Sequence, residues 1–475
     1  MKANACLKKV PRINIISKLA KETKIKVWLV GGFLRDSYLK TPKDLADFDF
    51  CVEKNIDLFV KKIAKSFRKK VIVLDKESSS FRIVVNKNKK NYSYDFILMR
   101  GKDIKQDLSQ RDFTINTLAL DISEPKKVLD YYGGIKDLKN RKIKTLSGSV
   151  INDDPLRILR GFSFASRYGF KIEAQTLKFF HSYKEKLKKV SSERINQELF
   201  QIFDSQKSHK VIKKMDELRI IDQIIPYVGK MRETGQGGFH HLNVWDHSIE
   251  TLKQFELLYQ RKIKNEQELK DFLKEQLGGG RKRGQIIKLA CLLHDIGKPF
   301  VKKKTKARTI FHMHEKAGRE ISSKFAQTMR LSRVERQKIA KMVFWHLRPG
   351  YLADQVTPSR RAVYRFFRDT QEEGVSVILL SLADWRATRG PLTSSLKRKR
   401  HEKVMLQLVD DYLSAKKIKP VPKIINGYDL INSLGLKEGP EVGKILAKIK
   451  ELQALGKVNK KTEALEAAKD ILKKI

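Results

Sequence analysis

The run DFDFCV at 47–52 constrains this chain more than any other stretch, because acid and aromatic residues alternate in it with a period of two. In an extended strand that period sends Asp47 and Asp49 to one face and Phe48 and Phe50 to the other, leaving an acidic face that can hold a divalent metal. Upstream, VWLV ends in Gly31 and Gly32 and opens into the helix-like FLRD. A strand, a glycine turn and a helix start in that order bring backbone amides where they can meet a phosphate. The two segments together point to nucleotidyl transfer.

Strand-like runs (VWLV, FDFCV, KVIVLD, FRIVV, YSYDFILM, TLALDI) alternate with short polar connectors through residues 1–145, as expected of a small α/β unit on a mixed sheet. From 146 to 235 the apolar period changes to that of a helix, in DPLRILRGFSFASRYGF and SERINQELFQIF. Residues 236–390 carry most of the histidines on apolar helices, interrupted by a loop at QLGGGRKRGQ, 276–285. Residues 391–475 are helical again, the linker-like KKIKPVPK included in that stretch. The predicted class is α+β, a mixed-sheet head followed by an all-helical remainder. A chain of 475 residues has room for this many parts, and it shows no internal repeat.

Lys and Arg number 101 against 54 Asp and Glu, a formal charge of +47 spread along the whole sequence. Such a field favours a polyanionic partner and binding that weakens with salt; the plainer reading is a lysine-rich proteome. No run approaches the length of a membrane-spanning helix, and the basic N-terminus lacks a signal-peptide pattern, so no membrane association and a cytoplasmic location are expected. Cys6, Cys51 and Cys291 have no CxxC spacing, which argues against a disulfide framework or a thiolate zinc site.

Transfer of a nucleotide to a hydroxyl needs metal to stabilise the attacking and leaving oxygens, and two aspartates can bridge a pair of ions. For a third acid the chain offers Asp112 in QRDFTINTLAL and Asp95 in YDFIL. Asp112 is preferred, because Arg111 beside it can bind phosphate and Asn116 lies one helical turn on. Further along, DDPLR at 153–157 sets Asp154, which only accepts hydrogen bonds, near Arg157, which only donates them. Cytosine and adenine each present an amino donor beside a ring-nitrogen acceptor, so the pair suits CTP and ATP and rejects UTP and GTP. The alternative is an i, i+3 surface salt bridge.

GGFLRD, DFDF, RDFTIN and DDPLRILR follow one another between residues 31 and 160. With them the chain resembles, over nearly its whole length, the class II nucleotidyltransferases, the family of bacterial tRNA CCA-adding enzymes and bacterial poly(A) polymerases. The resemblance implies a polymerase β-like palm at 1–145, a nucleotide-selecting and RNA-binding neck at 146–235, an HD domain at 236–390 and a tRNA-binding body and tail at 391–475. It implies that Asp47 and Asp49 hold Mg²⁺ with Asp112 as third acid, and that Gly31, Gly32, Arg35 and Asp36 form the triphosphate turn. Arg111 matches a phosphate contact, Asn116 the sugar-side wall, and Asp154 and Arg157 the nucleotide-selecting motif, with Arg160 following. The implied activity is template-independent addition of C and A to the tRNA 3′ end from CTP and ATP, with release of pyrophosphate. A poly(A) polymerase, or a CC-adding or A-adding specialist, shares these motifs. Two departures from the family pattern stand out: Asp44, three residues before Asp47, as an extra or alternative acid, and the short bridge LMRGKDIKQDLSQ, which in the family accompanies enzymes that stop after CC.

LACLLHDIGKP at 289–299 resembles the HD phosphohydrolase superfamily. That resemblance implies a metal core of His247, His294, Asp295 and Asp384, with His314 and His346 as additional ligands of two-metal members and the metal's identity open. His240, His241 and His312 match no role. Some CCA-adding enzymes carry such a domain with phosphatase or cyclic phosphodiesterase activity on RNA ends; a scaffold retained for tRNA binding is the alternative. In the C-terminal segment 425–472, Gly439 with Pro440 breaks one helix, Gly443 lets the next approach a neighbour or phosphate backbone, and lysines are expected to position tRNA through its phosphates. The sequence carries no signal for oligomeric state.

Overall fold

All six apolar runs read as strands join one mixed sheet: β1 (Val27–Val30), β2 (Asp47–Val52), β3 (Ile72–Asp75), β4 (Ser80–Lys87), β5 (Lys90–Leu98) and β6 (Ala119–Asp121). Their order is β3-β4-β5-β2-β1-β6, with β2 and β5 parallel and the other neighbours antiparallel. The computed structural model describes residues 3–40, 46–75, 77, 79–87, 90–238, 240–305, 309–354, 357–415 and 423–473. Asp44, and the linker-like KKIKPVPK as far as Pro422, lie outside them.

The alternation in β2 explains the centre of the sheet. Phe48 and Phe50 are fully buried and pack with Phe33, Tyr94 and Phe96 at ring-centroid distances of 5.2, 5.3 and 5.1 Å. The helix Ile56–Phe67 covers this face, its apolar residues Phe59, Val60, Ile63 and Phe67 recurring at helical spacing. Each buried ring contributes about 1.5–3 kcal/mol. Thus the aromatic half of the alternation anchors the strand, and the acidic half is left on the opposite face.

Backbone contacts resolve two units, Met1–Ile224 and Ile225–Ile475, where the sequence suggested four parts. In the first, helices Leu156–Tyr168 and Ser192–Phe203 follow the head, with Gly161 of the former closed against Phe113 and Phe180. In the second, helices Val244–Arg261, His314–Thr328 and Gly374–Ala387 carry His247, His314 and Asp384, while His294 and Asp295 follow helix Arg283–Leu293 and His346 follows Arg333–Trp345. Leu430, Ile445, Ile449 and Ala464, from helices Gly427–Leu434, Pro440–Ala454 and Lys461–Leu472, belong to a separate apolar core. A Cβ at Gly443 would meet nothing within 4 Å, so no protein neighbour approaches it closely, and Gly439 has an ordinary extended φ of 170°. All three cysteines are buried free thiols. Among the described residues no helix is long and apolar enough to cross a membrane.

Replacing Gly161 by alanine would put a Cβ 2.5 Å from Cζ of Phe180 and 3.0 Å from that of Phe113. Gly161→Ala is therefore expected to destabilise the N-terminal unit by about 1–3 kcal/mol, seen as a lower urea midpoint with an unchanged slope.

Candidate active site and metal cluster

In the N-terminal unit the register of β2 and β5 sets Asp49 opposite Asp95 and Asp47 opposite Ser93. Paired residues share a sheet face, so Asp47, Asp49 and Asp95 lie together. Burial raises the Asp49 carboxyl above its ordinary range; Arg111 pulls it back, and the carboxylates of Asp95 and Asp47 push it up again. The Asp47 and Asp49 carboxylates, offering only oxygen donors, are of the kind that suits a hard divalent cation such as Mg²⁺, which would relieve the repulsion on Asp49. Arg82, opposite Asp95 on β4, donates to both of its oxygens at 2.7 Å and fixes its orientation.

Asp112 sits differently. Its Oδ1 accepts from the Phe113 amide and Asn116 Nδ2, both at 2.8 Å, and its Oδ2 accepts from Arg160 Nε at 3.0 Å and Nη2 at 2.8 Å. Burial alone would raise its carboxyl, but Arg160 and these hydrogen bonds hold it below the ordinary value. A carboxylate whose two oxygens are already engaged by a guanidinium and neutral donors is a poor cation ligand. Asp95 is set beside Asp49 by strand register, which is not readable from one sequence, but its two oxygens are likewise engaged, by Arg82. It is Asp112 that lines the cleft with Asp49, so side-chain engagement does not choose between the two as third acid.

A cleft of about 520 Å³ opens over this face, its lining including Gly31, Asp49, Arg111, Asp154, Arg157 and Arg160. Gly31 has a φ of 74°, and a Cβ there would come within 3.0 Å of Asp49 Oδ2, so the turn needs glycine both for its backbone and for its approach to the acid. Gly32 begins the short helix Gly32–Tyr38. Arg35 and Asp36, expected in the triphosphate turn, instead bond one another at 2.9 Å; Arg35 also donates to Asn116 Oδ1 at 2.6 Å, and Asp36 accepts from the Tyr168 hydroxyl at 2.8 Å. The Arg35 guanidinium lies 5.0 Å from the ring centroids of both Phe164 and Tyr168. Both side chains brace the turn against the helix Leu156–Tyr168, and Arg35 also lines the cleft.

Asp154 and Arg157 both line the cleft without pairing with one another. Asp154 Oδ2 accepts from Arg194 at 2.9 Å and its Oδ1 from the Leu156 amide at 3.2 Å, while Arg157 donates to the Val150 carbonyl at 3.0 Å. The i, i+3 salt bridge considered from the sequence is not formed. Pro155 separates the helix Gly148–Asp153 from Leu156–Tyr168, which leaves Asp154 extended and puts Arg157 and Arg160 on successive turns. Sequence reasoning missed Arg100 and Asp107. Buried Asp107 accepts from Arg100 Nε at 3.2 Å and from Arg111 at 3.2 and 3.3 Å, so one carboxylate aligns two cleft arginines. The i, i+4 spacing of Asp107 and Arg111 was the available signal.

In the C-terminal unit the six HD positions come together as two groups, His247 with His294 and Asp384, and Asp295 with His314 and His346, each with ligand atoms within 4.8 Å of one another. Three of the imidazoles are locked alike. Nδ1 of His294, His314 and His346 lies 2.9, 2.8 and 2.7 Å from the carbonyl three residues earlier, of Cys291, Phe311 and Val343. A carbonyl only accepts, so each Nδ1 carries the proton and each Nε2 presents a lone pair. Those three Nε2 atoms face Asp295 at 3.2, 3.3 and 3.7 Å, acceptor against acceptor, and none of them has a hydrogen-bond partner. A cation satisfies such a set, and mixed imidazole and carboxylate donors suit a divalent transition metal. Burial alone would lower His294, but Asp295 and Asp384 raise it, so at that ring a proton competes with the metal.

His247 Nε2 meets Asp384 Oδ1 at 2.8 Å. Burial, helped by His294, pushes His346 down to about 3, and burial also lowers His247 despite Asp384, so both rings favour the neutral form a ligand requires. Two neighbours were not singled out in the sequence. Lys298, from the GKP turn, donates to Asp295 Oδ2 and to Gln236, each at 2.6 Å, and the His240 ring packs edge-on against His247 at 4.6 Å. His241 and His312 are both off the cluster.

Family models match along the chain: the poly A polymerase head domain at 27–144, the HD domain at 244–389, and two further models of RNA-binding and tRNA nucleotidyltransferase regions at 169–231 and 392–468. The A-adding tRNA nucleotidyltransferase of Deinococcus radiodurans is 29% identical over 445 residues, 92% of this chain and 93% of that protein. The CC-adding tRNA nucleotidyltransferase of Thermus thermophilus is 27% identical over 447 residues, 92% of this chain and 91% of that protein. The fold is shared with the Thermotoga maritima CCA-adding enzyme solved in complex with tRNA, at a TM-score of 0.66 and 21% identity over 99% of each chain.

Two outcomes are expected. Asp295→Ala, which removes the carboxylate facing three imidazoles, should weaken retention of divalent metal by the full chain at least about 10–100-fold, measured by elemental analysis after gel filtration. Asp112→Asn should cost about 2 kcal/mol near neutral pH. Because the folded carboxyl is depressed, this stabilisation is complete above the ordinary carboxylate pKa and disappears as pH falls through the folded value. The wild-type and Asp112→Asn urea midpoints should therefore converge below about pH 4.

Proposed function

This chain belongs to the class II family of bacterial tRNA nucleotidyltransferases and poly(A) polymerases and is a nucleotidyltransferase with an HD domain, and we propose that it adds the C and A residues of the CCA end to tRNA from CTP and ATP, without a nucleic-acid template. The observation that carries the proposal is the acid face of β2, whose Asp49 lines a cleft together with Asp112, Asp154 and Arg157. Bound Mg²⁺ would supply charge stabilisation for the attacking 3′ oxygen and the leaving pyrophosphate. Asp47 and Asp49 would hold it, with a third acid from Asp95, oriented by Arg82, or from Asp112, oriented by Arg160. Arg111, aligned by Asp107, and Arg100 face the triphosphate from the cleft floor, where guanidinium forks suit phosphate oxygens. Gly31 lies against the Asp49 carboxylate, and Gly31 and Gly32 both line the cleft.

Nucleotide choice falls to Asp154 and Arg157. One accepts from the exocyclic amine of cytosine or adenine and the other donates to the ring nitrogen, a pattern that uracil and guanine reverse. Arg194 holds Asp154 in place, and Arg160 with Asp112 fixes the helix that carries Arg157. The excess of lysine and arginine supports a tRNA partner, held through phosphates.

A second reading, a specialist that adds only CC or only A, is favoured by the relatives that match nearly full length, which carry those names, and by the short bridge from Met99 to Gln110. Extension of tRNAs lacking three, two or one terminal residues, with CTP and ATP offered separately and together, separates the readings. Growth to CCA from all three supports the first; arrest at CC, or extension only of the CC-ending tRNA, supports the specialist; ATP runs on any RNA would overturn both in favour of poly(A) synthesis. Asp47→Ala, Asp49→Ala and Asp95→Asn are each expected to lower incorporation by at least about 10²-fold while tRNA binding persists, read by filter binding.

For the HD cluster we propose a metal-dependent phosphohydrolase acting on RNA 3′-end phosphates. Support comes from the complete six-residue donor set and from Lys298, a cation held beside it that can meet a phosphate. Hydrolysis of a 2′,3′-cyclic nucleotide that is lost in His294→Ala and unchanged in Asp49→Ala is the expected result; no hydrolysis with any divalent metal would leave the cluster a scaffold.

A further inference from the structure

A basic cavity of about 460 Å³ in the C-terminal unit is lined by none of the six cluster residues. Its wall combines Arg261, Lys262, Arg386, Arg389, Arg398 and Lys399 with a single carboxylate, Glu402. That carboxylate is already engaged, accepting from Arg386 at 2.6 and 3.1 Å. Arg389 and Arg398 are held in place by neutral oxygens, Arg389 by the Arg386 carbonyl at 3.1 Å and Arg398 by the Thr393 hydroxyl at 2.8 Å. These hydrogen bonds fix orientation without neutralising charge, although Glu250, behind the lining residue Gln254, faces Arg389.

Independent of the charge, His401 lines the same cavity, is 1% exposed, and its Nε2 has no hydrogen-bond partner. The ring cannot swing toward one, because it stacks on Trp385 at 4.4 Å with the planes 10° apart. A buried nitrogen left in this way carries an uncompensated desolvation penalty, so it marks the place of a group from outside the chain. Burial pushes His401 down to about 4, so the ring is neutral and can donate one N–H. The first turn of the 21-residue helix Ser395–Ala415 supplies Ser395 to the wall, and its dipole favours an anion there.

We propose that this cavity binds a phosphate group, carried by a nucleoside phosphate or by the RNA backbone. Several guanidiniums, one neutral N–H donor and a helix start match the multiple oxygens and double charge of phosphate better than a single carboxylate. The volume exceeds that of a lone anion and lies in the range of small-ligand pockets, about 300–1,000 Å³. The inference is independent of the reactions proposed for the cleft and the histidine cluster.

Trp385 provides a local reporter. The full chain labelled with 5-fluorotryptophan, its Trp385 resonance assigned with Trp385→Phe, is titrated in EDTA with inorganic phosphate, AMP and a 5′-phosphorylated pentaribonucleotide. A saturable shift of that resonance is expected, weakening as salt rises. Lys262→Glu with Arg389→Glu, both exposed, should weaken it at least tenfold with the thermal midpoint retained, and His401→Phe should weaken it as well. AMP binding as tightly as the oligonucleotide assigns a nucleotide; an oligonucleotide at least tenfold tighter assigns RNA; equal binding of all three assigns free phosphate. A resonance that none of the three moves, or a charge-reversed double variant that titrates like the wild type, overturns the proposal.

Discussion

Everything in the N-terminal unit depends on the two-sided strand Asp47–Val52. Phe48 and Phe50 lock it into an aromatic layer, and that layer fixes which face carries Asp47 and Asp49. Because strand faces alternate strictly, a slip of one residue against β5 would bury both carboxylates and expose both rings. The cost of that exchange makes the acid face a rigid consequence of core packing. Aromatic burial thus holds Asp49 against the charges of Asp47 and Asp95, Arg82 balances Asp95, and a cation is the natural relief for the rest.

The C-terminal unit reaches a similar end by local backbone geometry. His294 and His346 directly follow helices Arg283–Leu293 and Arg333–Trp345, and His314 opens a third, yet each Nδ1 finds the carbonyl three residues earlier. One hydrogen bond repeated three times aims the opposite nitrogen of each ring at Asp295. The cluster therefore needs no outside carboxylate to set its tautomers. Lys298 balances part of the charge that buried Asp295 brings.

Arginine performs two distinct jobs around the cleft. Arg35, Arg82 and Arg160 are engaged by Asp36, Asp95 and Asp112, where they orient carboxylates and brace helices. Arg100 and Arg111 share Asp107 and keep part of their donor capacity for the cleft, and Arg157 is held only by a carbonyl. Sequence spacing does not separate these groups. Arg35 beside a glycine turn reads as a phosphate ligand, while the structure folds it between Phe164 and Tyr168.

The sequence determined whatever depends on periodicity and local motif: six strands, the change to helices near residue 146, the acid face of β2, the paired roles open to Asp154 and Arg157, and the membership of the histidine cluster. Those signals are short-range, so one chain displays them in full. Tertiary structure decided what depends on which segments become neighbours. Strand register, set by residues more than forty apart, put Asp95 beside Asp49 and left Asp112 with Arg160. Helix packing turned the Arg35–Asp36 pair inward and separated Asp154 from Arg157. It also stacked His401 on Trp385 in a basic cavity that no local pattern announces. Side chains of the same type take different roles because burial and partner choice, not residue identity, fix the charge each can present.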